Sequence, residues 1–460
     1  MTDSIAELAY LIASLLFILG LRGLRAPESA RRGLVLAEAG MLIAIVATLL
    51  RHHLVHYEWI VAGVVIGSAI GTAMAVLIPM TKMPERIALS HAFGGLAAAL
   101  VGVSEYYRHG GWLSVGKMAA VGFEVMLGAV TFTGSLMAFG KLQGMIAERP
   151  LTHRFQNALN LSLSLTTLAV IGYLIASAAA PFLFYIVVGL SFLLGILLVL
   201  PIGGADMPVV ISLLNSYAGL AAAATGFALS NSVLIVCGAL DGASGFFLSI
   251  VMSKAMNRSF ANILFGAFGK HANSSDAREQ EIRKAARSAT LEDALIMLKN
   301  AASVIIIPGY GMAAAHAQHA VRELGDLLER RGATVKYAIH PVAGRMPGHM
   351  NVLLAEANVR YDHLFDIDAI NSEFPATDLA LVVGANDVVN PAAKHDPHSP
   401  IYGMPVLDAE LARSVLVLKR SMSPGFARIE NELFLRPNAM MLFGDARATL
   451  SELVRALKAD

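Results

Sequence analysis

The chain has 460 residues, 56% hydrophobic and only 15% charged, with a mean hydropathy of +0.62. Soluble domains carry about 25% charged residues, so this composition excludes a wholly aqueous protein. A net charge of +1 argues against a nucleic-acid or strongly anionic partner, and the single cysteine, Cys237, can form no internal disulfide.

A membrane-spanning helix needs roughly 20 mostly apolar residues. By that measure the sequence predicts about nine, near 6–24, 34–50, 59–80, 88–104, 118–139, 159–178, 181–200, 208–228 and 231–252. No cleavable signal peptide is read at the start, because "MTDSIAELAY" is acidic where such a peptide is basic. Very short connections after the sixth and eighth segments predict helical hairpins. Alternate loops hold the cations: Arg25, Arg31 and Arg32, then Lys82 and Arg86, then Lys141, Arg149 and Arg154, with Lys254 and Arg258 after the last segment. The opposite loops hold only Arg51, Arg108 and the boundary residue Lys117. The excess of cations on the inner side then places the amino terminus outside and everything beyond Lys254 in the cytoplasm. Gly63, Gly67 and Gly71, four residues apart, predict a close-packing ridge between helices.

Ionisable and amide groups within these segments are functional candidates. His91 and Asn215 enter from the same side and are expected at comparable depth. Glu124 enters from the opposite side, and Asp206 in "GGADMPVV" is expected at the cytoplasmic mouth. A series Glu124, His91 with Asn215, then Asp206 would line a proton route, with a histidine suited to its centre. A packing histidine and an interhelical hydrogen bond would explain His91 and Asn215 equally well. Asp241 falls mid-segment, with its role open.

From Ser259 the chain turns polar and reads as a linker over 259–300, with a capping box at Thr290 and Asp293 starting a short helix. The expected division is a transmembrane proton-conducting domain over 1–258, that linker, and an α/β Rossmann-like domain over 301–460. In the last, "SVIIIPG", "TVKYAIHP", "LALVVGAN", "SVLVLKRS" and "AMMLFGD" read as buried parallel strands alternating with helices. Gly309-Tyr310-Gly311-Met312-Ala313-Ala314 follows the first strand and opens a helix, the turn in which glycines let pyrophosphate approach a helix N-terminus. The second strand ends without the carboxylate that would accept from a ribose 2′-hydroxyl, and leads to Arg345; a later strand ends in Lys419, Arg420 and Ser421. Two basic strand ends suit a 2′-phosphate and so the phosphorylated dinucleotide, although either cluster alone could be solvated surface charge. In "GANDVVNPA", Gly384 and Ala385 permit backbone approach and Asn386, Asp387 and Asn390 offer polar groups at the crevice, while Asp387 could equally cap a helix.

The motifs "PGYGMA", "HPVAGRMPGHMNVLLAEA", "VVGANDVVNPAA", "KRSM" and "MLFGDA", behind "SHAFGGL" and "NSYAG", resemble the β subunit of the proton-translocating NAD(P)+ transhydrogenases over essentially the whole chain. The resemblance implies a soluble domain that binds NADP(H) in an orientation reversed from ordinary Rossmann proteins, so that the Tyr310 loop would not cradle pyrophosphate in the usual manner. Beside Gly309 and Gly311 of the turn motif, it implies binding residues Tyr310; Val342, Ala343, Gly344, Arg345, Met346 and Pro347; and Gly384, Ala385, Asn386, Asp387 and Val388. Further along it implies Lys419, Arg420, Ser421, Met422, Ser423, Pro424, Gly425 and Phe426, then Asp445 and Ala446, with Asp387 serving in coupling. Phe426 stands where the family commonly has tyrosine. The resemblance also matches His91 and Asn215 to the family's proton path. It implies an NAD(H)-binding α subunit as partner, a dimer of αβ units, and a bacterial inner (cytoplasmic) membrane. No metal is expected. The activity implied is inward proton flow driving hydride transfer from NADH to NADP+. A channel or transporter with a dinucleotide-sensing domain, and a membrane-anchored dehydrogenase that does not pump, are the alternatives.

Overall fold

The computed structural model describes residues 2–24, 26–51, 57–109, 112–147, 150–177, 180–257, 259–265, 286–427 and 429–459. Arg25, Arg149 and Arg258, counted above among the loop cations, lie outside them. Contacts divide the chain into two units: Met1–Ile202 with Val210–Ser249, and Gly203–Val209 with Ile250–Asp460.

Among the described residues, nine helices are long and apolar enough to cross a membrane. They are α1 (Thr2–Gly23), α2 (Pro27–Arg51), α3 (Tyr57–Leu77), α4 (Met83–Arg108), α5 (Val115–Leu142), α6 (Gln156–Ala176), α7 (Pro181–Val199), α8 (Met207–Leu229) and α9 (Ser232–Ala255). A helix closes its own backbone hydrogen bonds, the condition for crossing a bilayer. Several run past the apolar stretch that marks them in the sequence. Thus α4 continues to Arg108 and α5 starts at Val115, capped by the Ser114 hydroxyl. The reason is that a hydrogen-bond ladder ends at a cap, not where hydrophobicity ends.

Spans α5 and α8 are the most buried, and glycine decides how closely the helices pack. A Cβ placed on Gly95 of α4 would lie 2.8 Å from the Gly128 carbonyl oxygen of α5, and one on Gly219 of α8 would lie 2.8 Å from Gly242 Cα of α9. Such backbone approach is how helices associate in lipid, where burying apolar surface gains little. The predicted ridge is different: α3 has no buried residue, and a Cβ on Gly63, Gly67 or Gly71 meets nothing within 4 Å among the described residues. The α8–α9 hairpin turns at Ser230 (φ 53°) and Asn231, whose side-chain oxygen accepts from Leu234 N at 3.3 Å. Buried Lys141 donates to the carbonyls of Leu200 (2.5 Å) and Ile202 (2.6 Å), countering the negative end of α7.

The second unit carries, after the short α10 (Phe260–Phe265) and α11 (Leu291–Asn300), a parallel six-stranded sheet. Its strands are β1 (Ser303–Pro308), β2 (Thr334–Ile339), β3 (Leu364–Asp366), β4 (Leu379–Val383), β5 (Ser414–Lys419) and β6 (Ala439–Phe443), in the order β3-β2-β1-β4-β5-β6. Helices α12 (Tyr310–Ala314), α13 (Gln318–Arg330), α14 (His349–Glu356) and α15 (Ala446–Ala459) alternate with them. Strand order reverses between β1 and β4, and open sheets of this kind bind ligands in the crevice beyond the carboxyl ends at that switch. Five strands match the predicted runs. The sixth, β3, is three half-exposed or exposed residues and has no apolar run to announce it. The helix after β1 stops after five residues and resumes as α13 past His316, whose φ is 51°. The predicted capping box is present, with Thr290 N and Asp293 Oδ2 2.9 Å apart. Just before it the chain pairs with the sheet: Met441 N donates to Arg287 O at 2.7 Å and Ala289 N to Met441 O at 2.8 Å.

Candidate functional site

At the switch, the turns after β1 and β4 are joined backbone to backbone. Gly309 N donates to Val383 O (2.9 Å) and Gly311 N to Gly384 O (2.8 Å), and a Cβ on Gly311 would lie 2.7 Å from Gly384 Cα. The space these glycines leave is therefore filled by the protein's own backbone, a role different from the pyrophosphate approach expected of the motif. Tyr310 projects from the turn. The Arg345 guanidinium sits 4.4 Å from its ring centroid, and the Phe426 ring 5.8 Å away, so turns after β1, β2 and β5 meet in one cation–aromatic cluster.

His340 fixes the turn after β2. Its Nε2 lies 2.7 Å from Pro405 O and its Nδ1 accepts from Val342 N at 3.2 Å. Burial holds the imidazole down at about 4, which keeps it neutral and assigns Nε2 as the donor. Four residues past Arg345, His349 Nδ1 accepts from Arg345 N at 3.1 Å and so curls the loop at Gly344 (φ 139°). Val342 packs against Ala393, Ile401 and Met404.

Asp387 is half-buried, with its carboxyl tucked beneath residues 423–427. Its Oδ2 accepts from Ala427 N at 2.9 Å, and burial pushes the carboxyl above the usual carboxylate range, against the pull of that hydrogen bond and of Lys419. Other bonds hold the same segment. Lys419 Nζ donates to Ser423 O (2.9 Å), Asn390 Nδ2 to Glu430 O (2.9 Å) and Asn431 Nδ2 to Asn386 O (3.0 Å). Residues 420–427 thus form a flap pinned onto the turn after β4. A cleft of about 160 Å³ opens beside it, lined by Gly311, Gly384, Lys419, Arg420, Ser421 and, at the start of α15, Ala446. No carboxylate lines it. Asp445 turns instead to its own helix, its Oδ1 accepting from Arg447 N and Ala448 N at 3.1 Å.

In the membrane unit, His91 of α4 hydrogen-bonds Asn215 of α8, and Asn215 Nδ2 donates to Asp241 Oδ1 of α9 at 3.1 Å. The fully buried Glu124 of α5 accepts at Oε1 from Thr225 of α8 at 2.6 Å. Asn215 and Thr225 are separated by about 15 Å of α8, so these are two stations rather than one cluster. Asp206 is buried and ends a single 3-10 turn before α8. Two groups escaped the sequence reading. Glu105, one residue beyond the predicted end of the fourth segment, is buried and lies 3.4 Å from His109 Nδ1. Thr131 and Ser135 of α5 are also buried, and hydroxyls within apolar runs carry no sequence signal of their own.

Comparison with known proteins gives one family over nearly the whole chain. Residues 6–456 match the model described as NAD(P) transhydrogenase beta subunit. The chain is 51% identical over 464 residues to the NAD(P) transhydrogenase subunit beta of Rhodospirillum rubrum, covering 99% of this chain and 100% of that one. The subunit of the same name from Rhodospirillum rubrum strain ATCC 11170 is similar to the same extent.

Proposed function

Because this chain belongs to the NAD(P) transhydrogenase beta-subunit family, and so serves a membrane-spanning oxidoreductase, we propose that it binds NADP(H) at the carboxyl edge of its sheet and couples inward proton flow to hydride transfer from NADH. The NAD(H) site belongs in this reading to a partner α subunit, the complex is a dimer of αβ units in a bacterial inner membrane, and the soluble unit is cytoplasmic.

The flap pinned on Asp387 beside a basic cleft carries this reading. Lys419, Arg420 and Ser421, with the N-terminus of α15, supply the charge-assisted and dipolar contacts a 2′-phosphate requires, and no lining carboxylate opposes them. Tyr310 and Phe426 offer aromatic faces, and Arg345 a planar cation, to the rest of the nucleotide. The bound nicotinamide supplies the carbon that accepts or gives up hydride. The chain's own part is to position that ring and to exclude water, since direct hydride transfer needs no side-chain acid or base.

In the membrane, Glu124, then His91 with Asn215, then Asp206 form the proton route. Asp387 is the coupling residue: closed, the flap buries its carboxyl and favours the neutral form; open, it lets the carboxyl ionise. A proton arriving through the membrane then favours the closed flap, and its departure to the cytoplasm favours opening and nucleotide release, provided the two states differ in affinity for both proton and nucleotide. Both subunits reconstituted in vesicles provide the test. With the soluble unit facing the medium, hydride transfer from NADH to NADP+ should turn the interior alkaline, and with His91→Ala that change should vanish while NADP+ binding persists; undiminished pumping by that variant would refute the route.

A further inference from the structure

The proton route leaves Asp241 unused, yet this residue is the tenth of the 24 in α9, well inside a membrane span, and its side chain is exposed. A lone carboxylate at that depth is costly, and ionisable groups there pair with one another. Close helix packing fixes its place. A Cβ on Gly219 of α8 would lie 2.9 Å from the carbonyl carbon of Asp241, and one on Gly245 of α9 would lie 2.9 Å from Asn215 Nδ2. Ser212 and Ser216 of α8 donate to the carbonyls of Gly245 (3.0 Å) and Gly242 (2.7 Å), so α8 and α9 are locked in register beside the Asn215–Asp241 bond.

That bond decides how the Asn215 amide points. An ionised carboxylate only accepts, so Asp241 Oδ1 draws Asn215 Nδ2 toward α9, 3.1 Å away, and leaves Asn215 Oδ1 for His91. His91 Nδ1 is buried with no partner among the described residues, so the bond to Asn215 is made by Nε2, which must donate. The imidazole then keeps Nδ1 open for a second proton, and the cation so formed stands one amide away from a carboxylate. Other carboxylates are farther off. Glu85 lies about 9 Å along α4 from His91, and Glu124, bonded to Thr225, about 15 Å along α8 from Asn215. No lysine or arginine pairs with Asp241 among the described residues, which leaves His91 as the cation to share its charge. We propose that Asp241 is a positioning residue of the proton route, fixing the Asn215 amide and serving as counter-charge to protonated His91. The inference rests on the proton route proposed above. The moving proton binds at His91 Nδ1 and leaves from it, and Asn215 and Asp241 end each cycle unchanged.

The αβ complex in vesicles tests it with Asp241→Asn, which keeps the shape and an acceptor for Asn215 but removes the charge. Proton pumping should fall about tenfold or more with NADP+ affinity unchanged. A residue that merely ties α8 to α9 would tolerate that change. Pumping at the unmodified rate by Asp241→Asn, with His91→Ala silent, would therefore overturn the counter-charge and leave the route standing. Unimpaired pumping by His91→Ala would sink the route itself. Asp241→Glu returns a carboxylate and should recover most of the rate; a glutamate variant no faster than Asp241→Asn would count against the proposal equally. Should Asp241→Asn fail to assemble, the exchange of Asn215→Asp with Asp241→Asn decides, since it keeps one amide and one carboxylate beside His91. That pair should pump, and silence from the assembled complex would overturn the proposal.

Discussion

Gly425→Ala puts the gating of the flap to its sharpest test. A Cβ at that position would lie 2.7 Å from Asp387 Oδ2 and nearer still to Oδ1, far inside an ordinary contact of 3.4–4 Å. Either the carboxyl swings aside or the flap backbone lifts, and both pull on the contact between the two segments. Two residues on, the bond from Ala427 N to Asp387 Oδ2, now 2.9 Å, is stretched or broken. A hydrogen bond to a neutral acceptor is worth about 0.5–1.5 kcal/mol. Loss of that from the closed state raises the NADP(H) release rate by about 2- to 10-fold. Stopped-flow measurement of nucleotide release from the αβ complex reads the change directly. Asp387→Ala removes both the obstacle and the bond, so adding Gly425→Ala to it should cost less than about 0.5 kcal/mol further, the non-additivity expected of residues in contact. Release at the original rate in Gly425→Ala, or simple addition of the two effects, would show that Asp387 does not hold the flap.

Replacing Lys419 and Arg420 together by Ala should lower the preference for NADP+ over NAD+ at least tenfold, since each charge-assisted contact contributes about 1.5–3 kcal/mol; calorimetric titration with both nucleotides measures it. Asn215→Leu removes the 3.1 Å bond to Asp241 and the bond to His91, so pumping should drop about tenfold or more while NADP+ affinity stays put, read in vesicles and by binding respectively. His340 titrates at about 4 in place of its ordinary 6.5, so the folded unit takes up this proton later than the unfolded chain as pH falls. Its contribution is intact above 6.5 and is lost progressively down to about 4, roughly 3 kcal/mol in all. Amide exchange of β2 should accelerate across that interval, and His340→Gln should flatten the dependence.

What could be read in advance follows from how each feature is encoded. Long apolar runs and buried β-branched strands declare themselves through composition and period, so the nine helices and five of the six strands were legible. The three-residue β3 pairs by backbone bonds alone, and its half-exposed side chains leave no pattern. The site residues Tyr310, Arg345, Lys419 and Phe426 could be named from motifs, but their meeting at one switch point, and the pinning of the flap on Asp387, depend on turns far apart in the chain. Glycine was the most misleading letter. The conspicuous series Gly63, Gly67, Gly71 packs against nothing described, whereas the scattered Gly95, Gly128, Gly219 and Gly242 make the close helix contacts. Glu105 was passed over because hydrophobicity stops one residue short of it while the helix does not.

The pairing of residues 287–289 with β6 matters beyond the fold. A sheet margin with bare amide and carbonyl groups recruits other chains, and natural proteins cover or blunt it. Here the cover is the stretch of chain that leads into the soluble half. A soluble fragment begun at Ala301 would shed that cover and self-associate through β6, whereas one begun ahead of Arg287 would stay monodisperse, because it hems its own sheet.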